Sequence, residues 1–183
     1  MMESPPKAFA QAGIMASPNA DDDDLFEPNQ VSTSITADEA LQFLEDHGLF
    51  YQEYAEIGQL VDELYRSGRA QSDNAKLGHF KPTLLKDLRL RRILGHYSIE
   101  LTRFRLPWGS PGSFYCWDTA SRQSASDGLV MYMVRPGSTW ICCDRSHNLV
   151  VSWEVAEDRT IHIEEKLLEG YAKKEVRMKE GGV

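Results

Sequence analysis

The sequence predicts an α+β domain with helices first, then a five- or six-stranded, mostly antiparallel sheet laid out as a meander, then a C-terminal helix. Three observations carry this reading. Between residues 36 and 95, apolar side chains recur at helical spacing in segments closed by Gly48, Gly68 and Gly95. Residues 128–155 read GLVMYMVRPGSTWICCDRSHNLVVSWEV, apolar runs rich in Val, Ile, Tyr and Trp broken by turn signals. Near the end, Leu167, Leu168, Tyr171 and Ala172 return to helical spacing, and Lys173, Lys174, Arg177 and Lys179 suit the negative end of a helix dipole.

Composition sets the outer limits. Of 183 residues, 42% are hydrophobic and 26% charged, ordinary values for a globular chain that buries a core. No run of about 18 apolar residues occurs, so no membrane span is indicated. Residues 1–11 lack the apolar stretch of a secretory signal. Three cysteines, two of them adjacent, make no disulfide framework and point to a reducing compartment, cytoplasmic or nuclear. The net charge of −8 is unevenly spread: residues 1–35 sum to −5, 36–75 to −7, 76–105 to +6 and 106–183 to −2. A basic segment therefore sits inside an acidic chain.

Residues 1–34 carry prolines at 5, 6, 18 and 28 and the run Asp21-Asp22-Asp23-Asp24. Such a segment buries too little apolar area to offset its ordering entropy, so a disordered acidic tail is expected, with the domain at 35–180. Within the tail, Asp24, Leu25 and Phe26 place two bulky apolar residues after the acids. They read either as a short motif that docks on a partner or on the chain's own basic segment, or as incidental residues of a solubilising tail. Thr36-Ala37-Asp38-Glu39 matches a capping box and opens the first helix, with Leu41, Leu44 and Phe43 expected to face inward. A second helix is expected from about Phe50 to Ser67, on the spacing of Phe50, Tyr54, Ile57, Val61, Leu64 and Tyr65. After a polar loop, Pro82 precedes a third helix over Thr83–Leu94.

Tyr97–Leu106 reads as a strand whose apolar parity changes midway, so a β-bulge is expected near Thr102-Arg103. Phe114–Asp118 is a short strand. In the meander, Pro136-Gly137 suits the centre of a type II turn. The runs at 129–134 and 140–143 are apolar on both faces, as in covered central strands. Leu149–Val155 and Thr160–Glu164 complete the sheet.

Candidate chemistry is sparse. Cys142, Cys143 and His147, with Cys116, offer thiolates and an imidazole, but neighbouring strand residues point to opposite faces and no C-x-x-C pair occurs. Burial as small hydrophobes is the favoured reading, and no metal and no cofactor is expected. There is no G-x-S-x-G, glycine-rich phosphate loop, H-E-x-x-H or dinucleotide fingerprint. All five histidines read as surface or strand-edge residues. A pocket lined by Tyr115, Trp117, Tyr132 and Trp140, with Asp118 or His96 at its mouth as acid or base, would suit a carrier or a lyase or isomerase. The plainer reading fills an ordinary core with these aromatics. The order of helices followed by strands is similar to the cone-shaped α+β barrels of the NTF2-like class. No motif of that class is matched, so no residue role carries over.

The sharper feature is Lys86, Arg89, Arg91, Arg92, Arg103 and Arg105, close in sequence on one helix and the following strand. On one surface they would bind phosphates, an acidic peptide or anionic lipid; the competing reading pairs them with Glu45, Glu53, Glu56 and Asp62. The expected function is therefore a non-enzymatic interaction, assembly or regulatory protein. It docks through the basic helix–strand surface on a protein partner with an acidic surface, and the acidic tail screens that patch or recruits a second partner. The alternatives are the small-molecule pocket protein and a nucleic-acid-associated protein. The net charge of −8 and the lack of a nucleic-acid motif disfavour the latter. An edge strand leaves a homo-oligomer open.

Overall fold

The computed structural model describes residues 24–68, 80–97, 102–106, 112–117, 129–149 and 160–183. The chain is mixed helix and strand. Helix α1 spans Ala40–His47, α2 Ala55–Arg66, α3 Lys81–Leu84 and α4 Leu88–His96. At the start of α1, the Glu39 carboxylate accepts from the Thr36 backbone N–H at 2.9 Å and from its hydroxyl at 2.7 Å. Only one arm of the capping box forms, because the hydroxyl donates to the carboxylate instead of accepting from a helix N–H. Gly48 ends α1 in the left-handed region, φ 72°, with its N–H on the Leu44 carbonyl.

The second helix starts at Ala55, not near Phe50, because residues 52–54 commit their backbone groups to strand pairing. The expected third helix is two pieces. Asp87 leaves helical geometry, with ψ 132°, and its carboxylate accepts from the Leu90 N–H at 2.9 Å, capping α4. An aspartate inside an apolar-periodic run thus marks a new start.

Among the described residues six strands follow: β1 Thr102–Arg105, β2 Phe114–Trp117, β3 Leu129–Tyr132, β4 Ser138–Cys143, β5 Thr160–Ile163 and β6 Lys173–Met178. They pair as two-stranded sheets, β1 with β3 in parallel, and β2 with β5 and β4 with β6 antiparallel. The expected meander is therefore not what the described strands build, nor do they form the single curved sheet of a cone-shaped barrel. The β1–β3 register runs from Thr102↔Leu129 to Arg105↔Tyr132 with no inserted residue, so the expected bulge at Thr102-Arg103 is absent from this ladder.

The Pro136-Gly137 turn does form, with Gly137 at φ 80° and the Ser138 N–H on the Arg135 carbonyl at 3.2 Å. It does not close a β3–β4 hairpin. Ser138 pairs with Met178 on one side of the turn and Val134 with Gly182 on the other, both against the C-terminal segment. That segment, expected as a helix, is strand β6. Val176 and Met178 are buried while Glu175 and Arg177 are exposed, a period of two. Only a 3-10 turn at Glu165–Leu168 precedes it, and Gly170 at φ 95° breaks any helical continuation.

Two apolar clusters make most of the core. One joins Ile57, Val61 and Leu64 of α2 to Leu84, Leu90, Leu94, Met131, Met133 and Val183. The other gathers Val31, Phe43, Tyr51, Val134, Val176 and Met178. Met133 and Val134 belong to different clusters, so the chain just after β3 runs between them. The contact is sealed by Gly181-Gly182-Val183, which lies beyond the expected domain limit at 180 yet is buried. Gly182 bridges Glu53 on one side and Val134 on the other. The N–H of Gln52 meets the Val183 carbonyl at 2.9 Å, and the N–H of Tyr54 meets the Gly181 carbonyl at 2.8 Å. No side chain fits here: a Cβ on Gly182 would stand 2.2 Å from the Gln52 carbonyl oxygen.

Part of residues 24–34, expected in the tail, is likewise packed, with Val31 and Ser32 buried. Phe26 bridges Val31, and the Val31 N–H donates to the Tyr51 carbonyl at 2.8 Å. Phe26 meets Phe43 at 5.5 Å and His47 edge-on at 5.2 Å between ring centroids, with the Lys174 ammonium 4.8 Å above its ring. Leu25 and Phe26 are thus elements of the second cluster, not side chains waiting for a partner. Residues 1–23 lie outside the described residues.

Candidate docking groove

Of the six basic residues singled out in the sequence, the structure sorts four by fate. Lys86 lies 2.6 Å from a Glu56 carboxylate oxygen and is neutralised by α2. Arg89 donates to the carbonyls of Val31 and Ser32 at 3.1 and 3.0 Å and to the Gln52 amide oxygen at 3.1 Å. Its guanidinium also stands 5.3 Å from the centre of the Phe50 ring. It is an internal clamp. Arg91 and Arg92 are exposed and make no hydrogen bond or ion pair with a described residue. Arg103 and Arg105 sit opposite Val130 and Tyr132 in the β1–β3 register; their side chains lie outside the description.

The helical period explains the split. Leu90, Ile93 and Leu94 point into the core, which turns Leu88, Arg91, Arg92 and Gly95 outward. Helix α1 packs alongside, and between the two lies a shallow groove of about 530 Å³ lined by Ala37, Asp38, Leu41, Leu88, Arg91, Arg92, Gly95 and His96. Leu88 is 56% exposed, the most open large apolar side chain among the described residues. His96 is 3.8 Å from the Glu45 carboxylate, a long and exposed contact. The groove thus combines an apolar floor with two guanidinium groups, each able to grip a carboxylate or phosphate through paired N–H donors.

The groove's geometry is set from the inside. The Gln52 side chain donates to the Asp87 carboxylate at 2.7 Å and accepts from Arg89, so one amide holds both the cap and the second residue of α4. Gln52 is itself paired through its backbone with Val183. The C-terminal strand, Gln52 and α4 form one continuous hydrogen-bonded path.

Helix α1 is held at its far end by groups the sequence reading missed. His47, expected at the surface, is 5% exposed and Asp144 6%; the His47 Nδ1 and Asp144 carboxylate are 2.8 Å apart. The His47 ring stacks on Phe43 at 4.3 Å. The Arg145 N–H donates to the His47 carbonyl at 2.9 Å, from a residue in the left-handed region, φ 61°. The His147 ring covers Gly48 so closely that a Cβ there would fall 2.0 Å from Nδ1. No local spacing could reveal this latch, whose halves lie 97 residues apart.

The aromatic residues proposed to line a pocket are spread over three strand pairs. Tyr115 belongs to the β2–β5 pair, where it meets His162 edge-on at 5.6 Å. Tyr132 is 41% exposed on β3, and Trp140 packs on the second cluster from β4. Trp117 pairs with Thr160 on β2, and Asp118 lies outside the described residues. Cys142 and Cys143 point to opposite faces, the first toward the second cluster and the second toward Ile163 and Leu168. Burial pushes the Cys142 thiol up to about 11 and raises that of Cys143, so both stay protonated near neutrality. Among the described residues no three His, Cys, Asp or Glu side chains could hold one metal ion.

Comparison with protein-family models, with curated proteins and with solved structures returned no match. Among the described residues no helix is long and apolar enough to cross a membrane.

Proposed function

We propose that this chain is a non-enzymatic interaction protein that docks an acidic segment of a protein partner in the groove between α1 and α4. The observation that carries this reading is the contrast along one helix. Arg89 is consumed internally, whereas Arg91 and Arg92 stand exposed beside the open Leu88 side chain. An apolar residue of the partner would seat on Leu41 and Leu88, and flanking carboxylates would take the guanidinium groups. A peptide suits the groove better than nucleic acid, because Asp38 and Glu45 stand at its edge and the chain carries a net charge of −8. Free Cys142 and Cys143 suit a reducing compartment, cytoplasmic or nuclear.

The experiment is capture of a labelled peptide of alternating Asp-Asp and Leu-Leu pairs by the full chain and by a variant carrying R91E and R92E. The variant is expected to bind roughly ten- to hundredfold more weakly at low salt, with the gap closing as ionic strength rises. Equal affinity in the two proteins would remove the groove as the docking site.

A further inference from the structure

We propose that the chain's own aspartate run, Asp21–Asp24, competes for the Arg91–Arg92 groove in cis and so regulates docking, an inference that rests on the docking reading above. The geometry begins at the anchor. Phe26 is fixed against Phe43 and His47, which leaves the preceding residues tethered to the body of the protein. The Leu25 carbonyl accepts from the Ser32 N–H at 2.9 Å, and the Ser32 carbonyl accepts from Arg89 at 3.0 Å. Asp24, which is exposed, therefore leads off from the segment that Arg89 ties to α4. Arg92 lies about one helical turn, roughly 5 Å, beyond Arg89 along α4. From Ser32 the chain continues directly to Ala37 and Asp38, the α1 wall of the groove. Three extended residues reach about 10 Å, a length of chain that the carboxylates preceding Asp24 have for reaching from that segment toward Arg92 and Arg91.

Charge selects the contact. The run is the only stretch of four consecutive acids in the sequence, and Arg91 and Arg92 have no carboxylate partner among the described residues. The groove's own carboxylates do not fill that role: Glu45 faces His96, and Asp38 forms the opposite wall. Leu25 and Phe26 are already packed in the second cluster, so the run would enter without an apolar side chain for Leu88. The cis contact is then electrostatic only, weak and salt-sensitive, and yields to a partner that supplies both charge and apolar surface.

The test compares the full chain with a variant carrying D21N, D22N and D23N. Binding of the same labelled Asp/Leu peptide is read by fluorescence anisotropy at low and high salt. In parallel, the Arg91 and Arg92 side-chain Nε–H resonances are compared without peptide. The asparagine variant is expected to bind about three- to tenfold more tightly at low salt, with the difference lost at high salt, because a tethered competitor acts at high local concentration. The two arginine resonances should shift between the proteins. Equal affinity with unmoved resonances overturns the cis contact and leaves the docking reading standing. If neither protein binds the peptide, the docking reading fails and the resonances decide alone: shifted, they support the cis contact; unmoved, they overturn it.

Discussion

Gly58→Ala tests the packing on which the groove depends. On an isolated helix this change stabilises by about 1 kcal/mol, since alanine is the better helix former. In the folded chain the new Cβ would stand 2.0 Å from the Glu180 carbonyl oxygen and 3.0 Å from the Gly181 Cα. A comfortable carbon–oxygen contact is nearer about 3.5 Å, so the C-terminal strand must retreat by more than about 1 Å. It is held there by the Tyr54–Gly181, Val134–Gly182 and Gln52–Val183 hydrogen bonds, at 2.8, 2.9 and 2.9 Å. Overpacking costs about 1–3 kcal/mol and each backbone hydrogen bond surrendered adds about 1; less the helix-propensity gain, the net loss is about 2–4 kcal/mol. Urea unfolding followed by circular dichroism should show the midpoint falling by about 1–2 M, for an m-value near 2 kcal/mol/M. A midpoint unchanged or raised would refute the close approach of α2 to the C-terminal strand. It would also sever the path from that strand through Gln52 to α4.

Other outcomes follow from single contacts. Asp87→Ala removes the α4 cap and a Gln52 partner and should cost about 1–2 kcal/mol, with faster amide exchange at Leu90 than at Leu94; protection unchanged at Leu90 would contradict the cap. Phe26→Ala, in a half-buried ring packed on Phe43 and His47, should lower stability by about 1–3 kcal/mol without a partner present. A fully stable F26A protein would return Phe26 to the role of a docking motif. Partial desolvation where it lies against Gly48 holds the His147 imidazole below its ordinary pKa, so the unfolded chain takes up its proton first as pH falls. Stability should therefore be full above about pH 7 and decline as pH drops below about 6.5 toward the folded value. His147→Asn should flatten part of that decline in urea midpoints taken at several pH values, and an unaltered pH profile would count against the packing of that ring on Gly48.

Where the chain needed only its near neighbours, the sequence reading was close. The stop of α1 at Gly48, the turn at Pro136-Gly137, the inward set Ile57, Val61 and Leu64, and the opposed cysteines all rest on spacing or on one residue's allowed φ. It failed where two local readings were both permissible. Residues 167–179 carry apolar positions that satisfy a helix at Leu167, Leu168 and Tyr171 and a strand at Val176 and Met178. Pairing with β4 decided between them. Asp87 looked like a polar residue inside a helix until Leu90 and Gln52 were seen to bond to it. The basic group was legible as a list of residues but not as a surface. Glu56, Val31 and Ser32 were needed to show which members are occupied, and the α4 period then left Arg91 and Arg92 outward.

By itself, the sequence determined the mixed α+β character, the inward period of α2, the main turn and the uneven charge, because each follows from side-chain spacing, backbone sterics or simple counting. Only the tertiary structure decided which strands pair, that Gly181-Gly182-Val183 runs through the middle of the molecule, and that His47 meets Asp144. Those outcomes depend on which N–H finds which carbonyl, and which charge finds which countercharge, across long stretches of chain. Many such pairings are nearly equal in energy one at a time, and only packing them together selects the set that is made.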